Sequence, residues 1–307
     1  MKAKLATLFA LGATTALTAV AEEKTYDVKN FDEISVSRVI DVVYTQGNTQ
    51  SVRIDVADGN FNAVEVEVKG DTLHVKRPIK GRRWGNTSVR TKNGEKIIKI
   101  NGKRVPVITA YVTTPDLSKV SISSSSTFVA DGIETNSLKF DASSSAEVEA
   151  RGLNVSALDI GASSSADIML DGTCGDLDAK ASSSGDIVAK SLSCQTAEVK
   201  ASSSGDVYFD STGGDVTVYA SSSGDVKITG TCASFYGSAS SSGEIDGSDL
   251  QCADAEAKAS SGGDVSFSAS GYVKASASSG GDVTVYGQPE NLEKSESSGG
   301  DVTVRNS

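Results

Sequence analysis

The chain has 307 residues and a net charge of −11, with 40 acidic residues, 29 Lys or Arg residues and a single histidine. This acidic balance argues against nucleic acid as the main partner, because binding to phosphates requires a basic surface. The only histidine, His74, lies in a strand-like segment without the partners of a catalytic triad, which argues against that class of hydrolase.

The first 21 residues have the pattern of a secretory signal peptide. Two lysines precede an apolar run that ends in Ala19-Val20-Ala21, a small-x-small cleavage site. We expect residues 1–21 to be removed and the mature chain to begin at Glu22. The protein is then exported to the periplasm, the outer-membrane surface or the extracellular medium. No later stretch is apolar enough to predict a transmembrane segment.

Residues 22–118 have the pattern of a β region, with short runs of alternating Val and Ile separated by Gly- and Asn-containing turns. Within it, the segment from Lys76 to Arg104 contains eleven Lys or Arg residues and only one acid. Two Asn-Gly pairs flank the sequence KIIKI at 96–100, which predicts a basic hairpin insertion over residues 79–104.

The basic insertion suggests a binding patch. Arg82, Arg83, Trp84 and Arg90 are the candidate residues for contact with an acidic surface or polymer. The alternative is a solvated hairpin that neutralises part of an acidic protein.

A Ser-rich phrase returns nine times from Ala142 onward, in forms such as ASSSAEV, ASSSGDV and ASSGGDV. The acid of each copy follows the previous one by 18 to 20 residues. An earlier segment, SSSTFV from Ser124, is a degenerate copy with Phe128 in the place of the acid. A period near 19 residues is the length of one coil of a solenoid.

Apolar residues alternate with polar ones on both sides of each Ser phrase, as in Val216-x-Val218-x-Ala220 and Val226-x-Ile228. This alternation predicts two short strands per repeat, each with one buried face and one wet face. The sequence therefore predicts an all-β right-handed parallel β-helix with coils of about 19 residues over residues 119–307. Whether residues 22–118 continue the same helix or form a distinct β domain stays open.

The four cysteines form two pairs with the same spacing: Cys174 and Cys194 are 20 residues apart, and so are Cys232 and Cys252. Each pair thus occupies equivalent positions on consecutive coils, where stacked strands lie about 4.8 Å apart. This distance suits a disulfide, so we predict the bonds Cys174–Cys194 and Cys232–Cys252. The alternative is four buried thiols. The spacing does not suit zinc.

The acids of the Ser phrases should stack into a row of like charges. The members considered as calcium ligands are Asp186, Asp206, Asp225, Glu244, Asp264, Asp282 and Asp301. Calcium between coils would offset their repulsion. In the alternative, each carboxylate accepts hydrogen bonds from turn N–H groups and closes the turn.

The serines should form a second set of rows. Strict alternation would turn the middle serine of each phrase inward, unless a bend intervenes, and inward hydroxyls would bond along the stack. The last coil departs from the apolar pattern, because Lys294 and Glu296 fall at inward positions. Charges at such positions discourage end-to-end sheet growth, which predicts a C-terminal cap coil.

Three segments resemble one known family: FDEISVSRVIDVVYTQGNTQSVRIDV at 31–56, VEVEVKGDTLHVKRP at 64–78 and ITAYVTTPDLSKVSISSSSTFVADG at 108–132. They are similar to the autotransporter adhesin head GIN domain family of exported bacterial proteins, and the resemblance covers nearly the whole mature chain. It implies a β-helical fold, a cell-envelope location and an adhesin role, and it provides no catalytic residues. No autotransporter translocation barrel is recognisable in this sequence.

The leading hypothesis is therefore an exported, non-catalytic, adhesin-like module that presents a repetitive Ser and Asp surface to a glycan or another cell-surface polymer. One alternative is a carbohydrate-active β-helix enzyme, and another is a purely structural envelope protein. No cofactor is expected apart from the calcium considered above.

Overall fold

The computed structural model describes residues 22–79 and 85–306, and this part of the chain contains no α-helix. Within it, 22 strands form one continuous sheet and three more form a small separate sheet. The large sheet winds into a β-solenoid of about nine turns with parallel stacked strands. This confirms the predicted all-β solenoid. The signal-peptide prediction concerns residues outside the described ranges, and no described helix is long and apolar enough to cross a bilayer.

Ten strands precede the Ser-rich repeats. They are β1 Glu22–Tyr26, β2 Glu33–Ser37, β3 Asp41–Gln46, β4 Ser51–Val56, β5 Glu65–Lys69, β6 Thr72–Lys76, β7 Thr87–Lys92, β8 Glu95–Ile100, β9 Lys103–Val105 and β10 Ile108–Thr114, with a short 3-10 helix at Phe61–Ala63.

Fifteen strands follow, and several bend from one side of the solenoid to the next. They are β11 Lys119–Ser123, β12 Thr127–Asp131, β13 Glu134–Ser143, β14 Glu147–Ser163, β15 Asp167–Ser182, β16 Asp186–Ser202, β17 Asp206–Thr212, β18 Asp215–Ser221, β19 Asp225–Ser240, β20 Glu244–Ser260, β21 Asp264–Ala269, β22 Tyr272–Ser278, β23 Asp282–Tyr286, β24 Asn291–Ser297 and β25 Asp301–Arg305.

Each coil has three sides. The first side precedes the Ser turn, as in β18, the second follows the turn, and the third leads to the next coil. Val216 and Val218 on the first side and Val226 and Ile228 on the second are at most 2% exposed. Because alternate side chains of a strand point to opposite faces, these residues fill the interior and their polar neighbours face solvent. Stacking gives each thin coil its core.

The region before the repeats belongs to the same solenoid. Strands β2 and β3 pair in parallel with β11 and β12, and β6 and β10 pair in parallel with β2 and β3 on the opposite edge. The spatial order of these coils therefore differs from their chain order. Antiparallel strands β5 and β4 cover the outer edges of β6 and β10, so the last parallel strands are paired on both edges instead of open.

A row of aromatic rings joins the two regions inside the core. The ring of Phe128 lies 6.0 Å from that of Tyr44 and 6.0 Å from that of Phe140. The predicted place of Phe128 in the acid row was wrong by one residue. Thr127 pairs with Glu147, and Phe128 pairs with the buried Val148, because the phrase begins one residue earlier, at Ser123, and its fourth serine, Ser126, takes the place of Ala146.

At the opposite end, β24 is exposed along its whole length. Lys294 and Glu296 lie over the inward residues Ala275 and Ala277 of β22. Their side chains form an ion pair of 2.6 Å, and a carboxylate oxygen of Glu296 accepts a hydrogen bond from the N–H of Val302. Lys294 and that N–H lower the pKa of Glu296. A paired charge thus covers the last apolar layer.

Replacing both Lys294 and Glu296 with valine should continue the apolar rows to the open end of the solenoid. We expect this variant to form concentration-dependent oligomers at high ionic strength, where contacts between exposed charges are screened. Light scattering after size exclusion measures the mass. The control replaces the outward Lys274 and Glu256 with valine. Equal masses for the two variants would contradict a capping role.

Candidate binding surfaces

The Ser phrase forms a tight turn at the corner between the first and second sides. Ser183 and Ser184 both have left-handed backbone angles, with φ of 53° and 60°, and the N–H of Gly185 donates to the carbonyl of Ser182 over 3.0 Å. This is the pattern of a type I′ turn. Left-handed geometry costs a non-glycine residue about 1–2 kcal/mol. In return, the N–H of Ser184 donates to the carbonyl of Ser203 in the next coil.

This turn overturns one prediction about the serines. The middle serine of each phrase, Ser183 in this copy, is exposed and does not point inward, because the turn interrupts the strand alternation. The first serines of successive phrases instead stack in register as one row along the corner. The row begins with Ser37 of β2 and continues with Ser123, Ser143, Ser163, Ser182, Ser202, Ser221, Ser240, Ser260, Ser278 and Ser297.

The acids that follow the turns form a second row, which we call the acid edge. It comprises Glu147, Asp167, Asp186, Asp206, Asp225, Glu244, Asp264, Asp282 and Asp301, each paired in register with the next. No ion pair joins any of them to a described cation. The acid edge is therefore a row of like charges without a fixed cationic partner, although Asp282 accepts a hydrogen bond from the N–H of Asp301 over 3.2 Å.

Burial and neighbouring acids both act on the acid edge. Partial desolvation raises the pKa of Asp206, and the charges of Asp186 and Asp225 raise it further. Glu244 has a raised pKa for the same two reasons, burial first and then its acidic neighbours. Raised pKa values are expected where carboxylates stand close together.

Two roles were considered for these acids, closing the Ser turns and binding calcium. The Ser turns are closed by a backbone N–H and a backbone carbonyl, so turn closure does not depend on the carboxylates. Among the described residues, no group of three or more His, Cys, Asp or Glu side chains is placed to hold a metal ion. Calcium binding stays a prediction.

Neutralising one member of the acid edge should stabilise the protein at neutral pH. In the folded protein, the pKa of Asp206 is raised above its ordinary value of 3.8. The ionised carboxylate therefore lowers the stability of the protein at pH values above the raised pKa. This loss of stability disappears as the pH falls towards 3.8. We expect Asp206→Asn to raise Tm by about 1–2 °C at pH 7, since a half-buried carboxylate at the surface contributes less than about 1 kcal/mol. The gain should vanish in acid.

Glu198→Gln is the matched control. Lys200 hydrogen-bonds Glu198 and lowers its pKa, so loss of this charge should reduce Tm slightly at pH 7. Thermal melts of the two variants at several pH values show whether each substitution raises or lowers Tm. A lower Tm for Asp206→Asn at pH 7 would contradict the repulsion within the acid edge.

The outward face of the first side carries paired charges and two tyrosines. Lys139 bridges Asp141 and Asp159 over 3.5 and 2.8 Å, and further along the face the pairs are Lys180 with Asp178, Lys200 with Glu198 and Lys258 with Glu256. This face is thus electrostatically balanced, unlike the acid edge.

Tyr219 and Tyr236 lie on this face as diagonal neighbours with ring centroids 5.7 Å apart. The ammonium of Lys200 lies 5.6 Å from the centre of Tyr219, and that of Lys258 lies 5.1 Å from the centre of Tyr236. Tyr219 is 39% exposed. We call these four residues the tyrosine platform. The sequence did not predict this platform, although both tyrosines occupy outward positions of alternating strands.

The basic insertion takes the place of a Ser turn, between β6 and β10. Its described strands β7, β8 and β9 form the separate antiparallel sheet. Ile98 is buried, and Lys96 forms an ion pair of 2.5 Å with Asp41 of β3. Of the predicted binding residues, Arg90 is exposed on β7, whereas Arg82, Arg83 and Trp84 lie outside the described residues. Their binding role stays a prediction.

Arg77 fixes the base of this insertion. It is 4% exposed, and its guanidinium donates hydrogen bonds to the carbonyls of Val39 and Pro106. Burial lowers the pKa of Arg77 to about 10. Val39 has a left-handed φ of 61°, rare for a β-branched residue. The guanidinium therefore ties the start and end of the insertion to the corner of the neighbouring coil.

Both disulfides lie on the third side. Cys174 is bonded to Cys194 and Cys232 to Cys252, with Cα–Cα distances of 4.4 and 4.5 Å. Each pair also appears in register in the strand pairing. No described cysteine is free.

Comparison with known proteins gives the family. A family model described as "Putative auto-transporter adhesin, head GIN domain" matches residues 30–214 and 198–289. No curated protein matches the chain.

Several solved structures are similar to this chain. A "putative lipid binding protein" from Parabacteroides distasonis is 19% identical with a TM-score of 0.50, and the match covers 94% of this chain and 98% of that chain. A "putative adhesin" from the same organism is 17% identical with a TM-score of 0.48, covering 94% and 98%. Another "putative adhesin", from Bacteroides fragilis, is 19% identical with a TM-score of 0.34, covering 94% and 97%. The first likeness supports the shared fold, and the family match, which spans most of the sequence, shows that this chain belongs to the auto-transporter adhesin head GIN domain family.

Proposed function

We propose that the protein is an exported, non-catalytic adhesin of the cell envelope that binds a glycan or another cell-surface polymer. The observation that carries this proposal is the register of the solenoid, which repeats equivalent polar side chains once per coil along whole faces. A repeating surface suits a repeating ligand, because linked weak contacts add up to strong binding. Family membership and the disulfides support a location outside the cytoplasm.

The tyrosine platform is the part of this surface best suited to a sugar. Two neighbouring outward-facing rings, exposed at Tyr219 and half-buried at Tyr236, offer flat apolar area at low conformational cost. Lys200, Lys258 and their partners Glu198 and Glu256 surround the rings with donors and acceptors for hydroxyl groups. We propose that an extended polysaccharide stacks on Tyr219 and Tyr236 and runs along the first side.

A binding role is favoured over hydrolysis because the acids of the solenoid repeat in equivalent surroundings. Glycoside hydrolysis needs two carboxylates whose pKa values differ because their environments differ. Asp206 and Glu244 have raised pKa values for the same reasons, shared along one edge. This favours a structural cause for the shifts.

Polysaccharide binding by the mature chain tests the proposal, with immobilised neutral and acidic polysaccharides as probes. We expect the wild type to bind at least one polymer and the double variant Tyr219→Ala, Tyr236→Ala to bind it at least about tenfold more weakly, a loss of about 1.4 kcal/mol. Tyr208→Ala, on the second side, is the control. Unchanged binding of the double variant would contradict the platform, and chain cleavage by pure protein would favour the enzyme alternative. Binding to no polymer would favour a purely structural protein.

A further inference from the structure

Two surfaces of this chain carry opposite charges that the folded chain leaves largely uncompensated. One is the acid edge, whose nine carboxylates have no cationic partner among the described residues, although acids on the neighbouring first side are paired with lysines. The other is the outer surface of the β7–β9 sheet. Uncompensated rows of charge favour association with a complementary partner.

Strand register defines the outer surface of the β7–β9 sheet. Lys96 and Ile98 of β8 face the solenoid. The alternate residues of β8, and the residues of β7 and β9 that pair with them, therefore face away from it. The bases on this side are Arg90, Lys92, Lys99 and Arg104, all exposed. The only acid among them is Glu95, which pairs with Arg104. We call these four bases the basic face.

The two surfaces share one edge of the solenoid. The basic insertion replaces a Ser turn, and the acid edge follows the Ser turns of later coils, so both lie at the corner between the first and second sides. Asp41 stands in the same strand row as the acid edge, since it pairs with Thr127, which pairs with Glu147. Its contact with Lys96 shows that the insertion already binds a carboxylate of this row.

We propose that a second copy of this chain binds along this edge in an antiparallel, two-fold arrangement. In that arrangement, the basic face of each copy lies on the C-terminal part of the acid edge of the other, at Asp264, Asp282 and Asp301. A two-fold interface brings the same patches together twice, so each basic face neutralises three of the nine carboxylates on the other copy's acid edge. Carboxylates one coil apart stand about 4.8 Å from each other, and bases two residues apart on a strand about 6.8 Å, so side chains of ordinary length can interdigitate.

Sedimentation velocity of the mature chain at low and high salt tests this proposal. We expect a dimer at low salt that dissociates at high salt, because exposed ion pairs are screened. The variant Arg90→Glu, Lys92→Glu, Lys99→Glu should raise the dimer dissociation constant at least about tenfold. The control reverses Lys29, Lys69 and Lys274, which are exposed elsewhere. A wild type that is monomeric at low salt, or equal weakening by the control, would overturn the proposal.

A charge swap separates the proposed contact from a general effect of charge. The variant Asp264→Lys, Asp282→Lys, Asp301→Lys should also be monomeric alone, and mixing it with the reversed basic face should restore a heterodimer. Absence of a heterodimer from two folded variants, as judged by their thermal melts, would refute the antiparallel pairing. Polysaccharide binding through the tyrosine platform should be unchanged in both variants, so the two proposals fail independently.

Discussion

Replacing Phe128 with alanine is expected to lower the free energy of unfolding by about 3–5 kcal/mol, the usual cost of deleting a buried aromatic side chain. Phe128 is fully buried, and its ring lies between Tyr44 of the N-terminal coils and Phe140 of the repeats. Because the core is continuous at this point, the loss should affect both regions. Denaturant unfolding, followed by tryptophan fluorescence and by far-ultraviolet circular dichroism, measures it.

Val129→Ala is the matched control, since Val129 is the next residue on the same strand but faces outward with 37% of its surface exposed. We expect it to change stability by less than about 0.5 kcal/mol. Coincident transitions by the two probes would support one cooperative unit. Two separate transitions, with only one shifted by Phe128→Ala, would contradict the continuity of the solenoid between residues 22–118 and the repeats.

Removal of both disulfides is the second large effect. Each bond closes a loop with a sequence separation of 20 residues, which corresponds to a stabilisation of about 3 kcal/mol in the chain-entropy model. The two bonds lie on different pairs of coils, so their contributions should nearly add. We expect Cys174→Ala, Cys194→Ala to cost about 3 kcal/mol, and replacement of all four cysteines about 6 kcal/mol.

Reductant provides the internal control for the disulfides. The wild type should lose the same stability in reductant as the variant without cysteines, and that variant should be insensitive to reductant. Equal stability of oxidised and reduced wild type would show that the bonds do not constrain the unfolded chain.

The strand periodicity and the cysteine spacing were sufficient to predict the stacked coils, because a fixed period in a solenoid places equivalent residues above one another. The pairing of Asp206 with Asp225 and of Cys174 with Cys194 follows from that rule alone. The sequence could not define the coil order before the repeats. There β6 and β10 lie outside β2 and β3 although they follow them in the chain, and no local pattern encodes such a crossing.

Local backbone geometry accounts for the errors about the serines. Side chains alternate between the two faces only where the chain is extended. The left-handed turn in each phrase, Ser183-Ser184 in one copy, interrupts the extended strand. Thr127, and not Phe128, stands in the row of acids because the first serine of that phrase is Ser123, which pairs with Ser143. The tyrosine platform arises from residues in different strands that become diagonal neighbours only after stacking, so neither tyrosine is conspicuous in its own segment.

Mapping of the cysteine pairs by mass spectrometry of unreduced protein tests most directly whether positions one period apart are stacked. An Asp- or Glu-specific protease is needed besides trypsin, because no Lys or Arg lies between Cys232 and Cys252. We expect peptides that link Cys174 to Cys194 and Cys232 to Cys252, with no free thiol. Four free thiols would contradict the disulfides, and a peptide that links Cys194 to Cys232 would contradict the stacked coils.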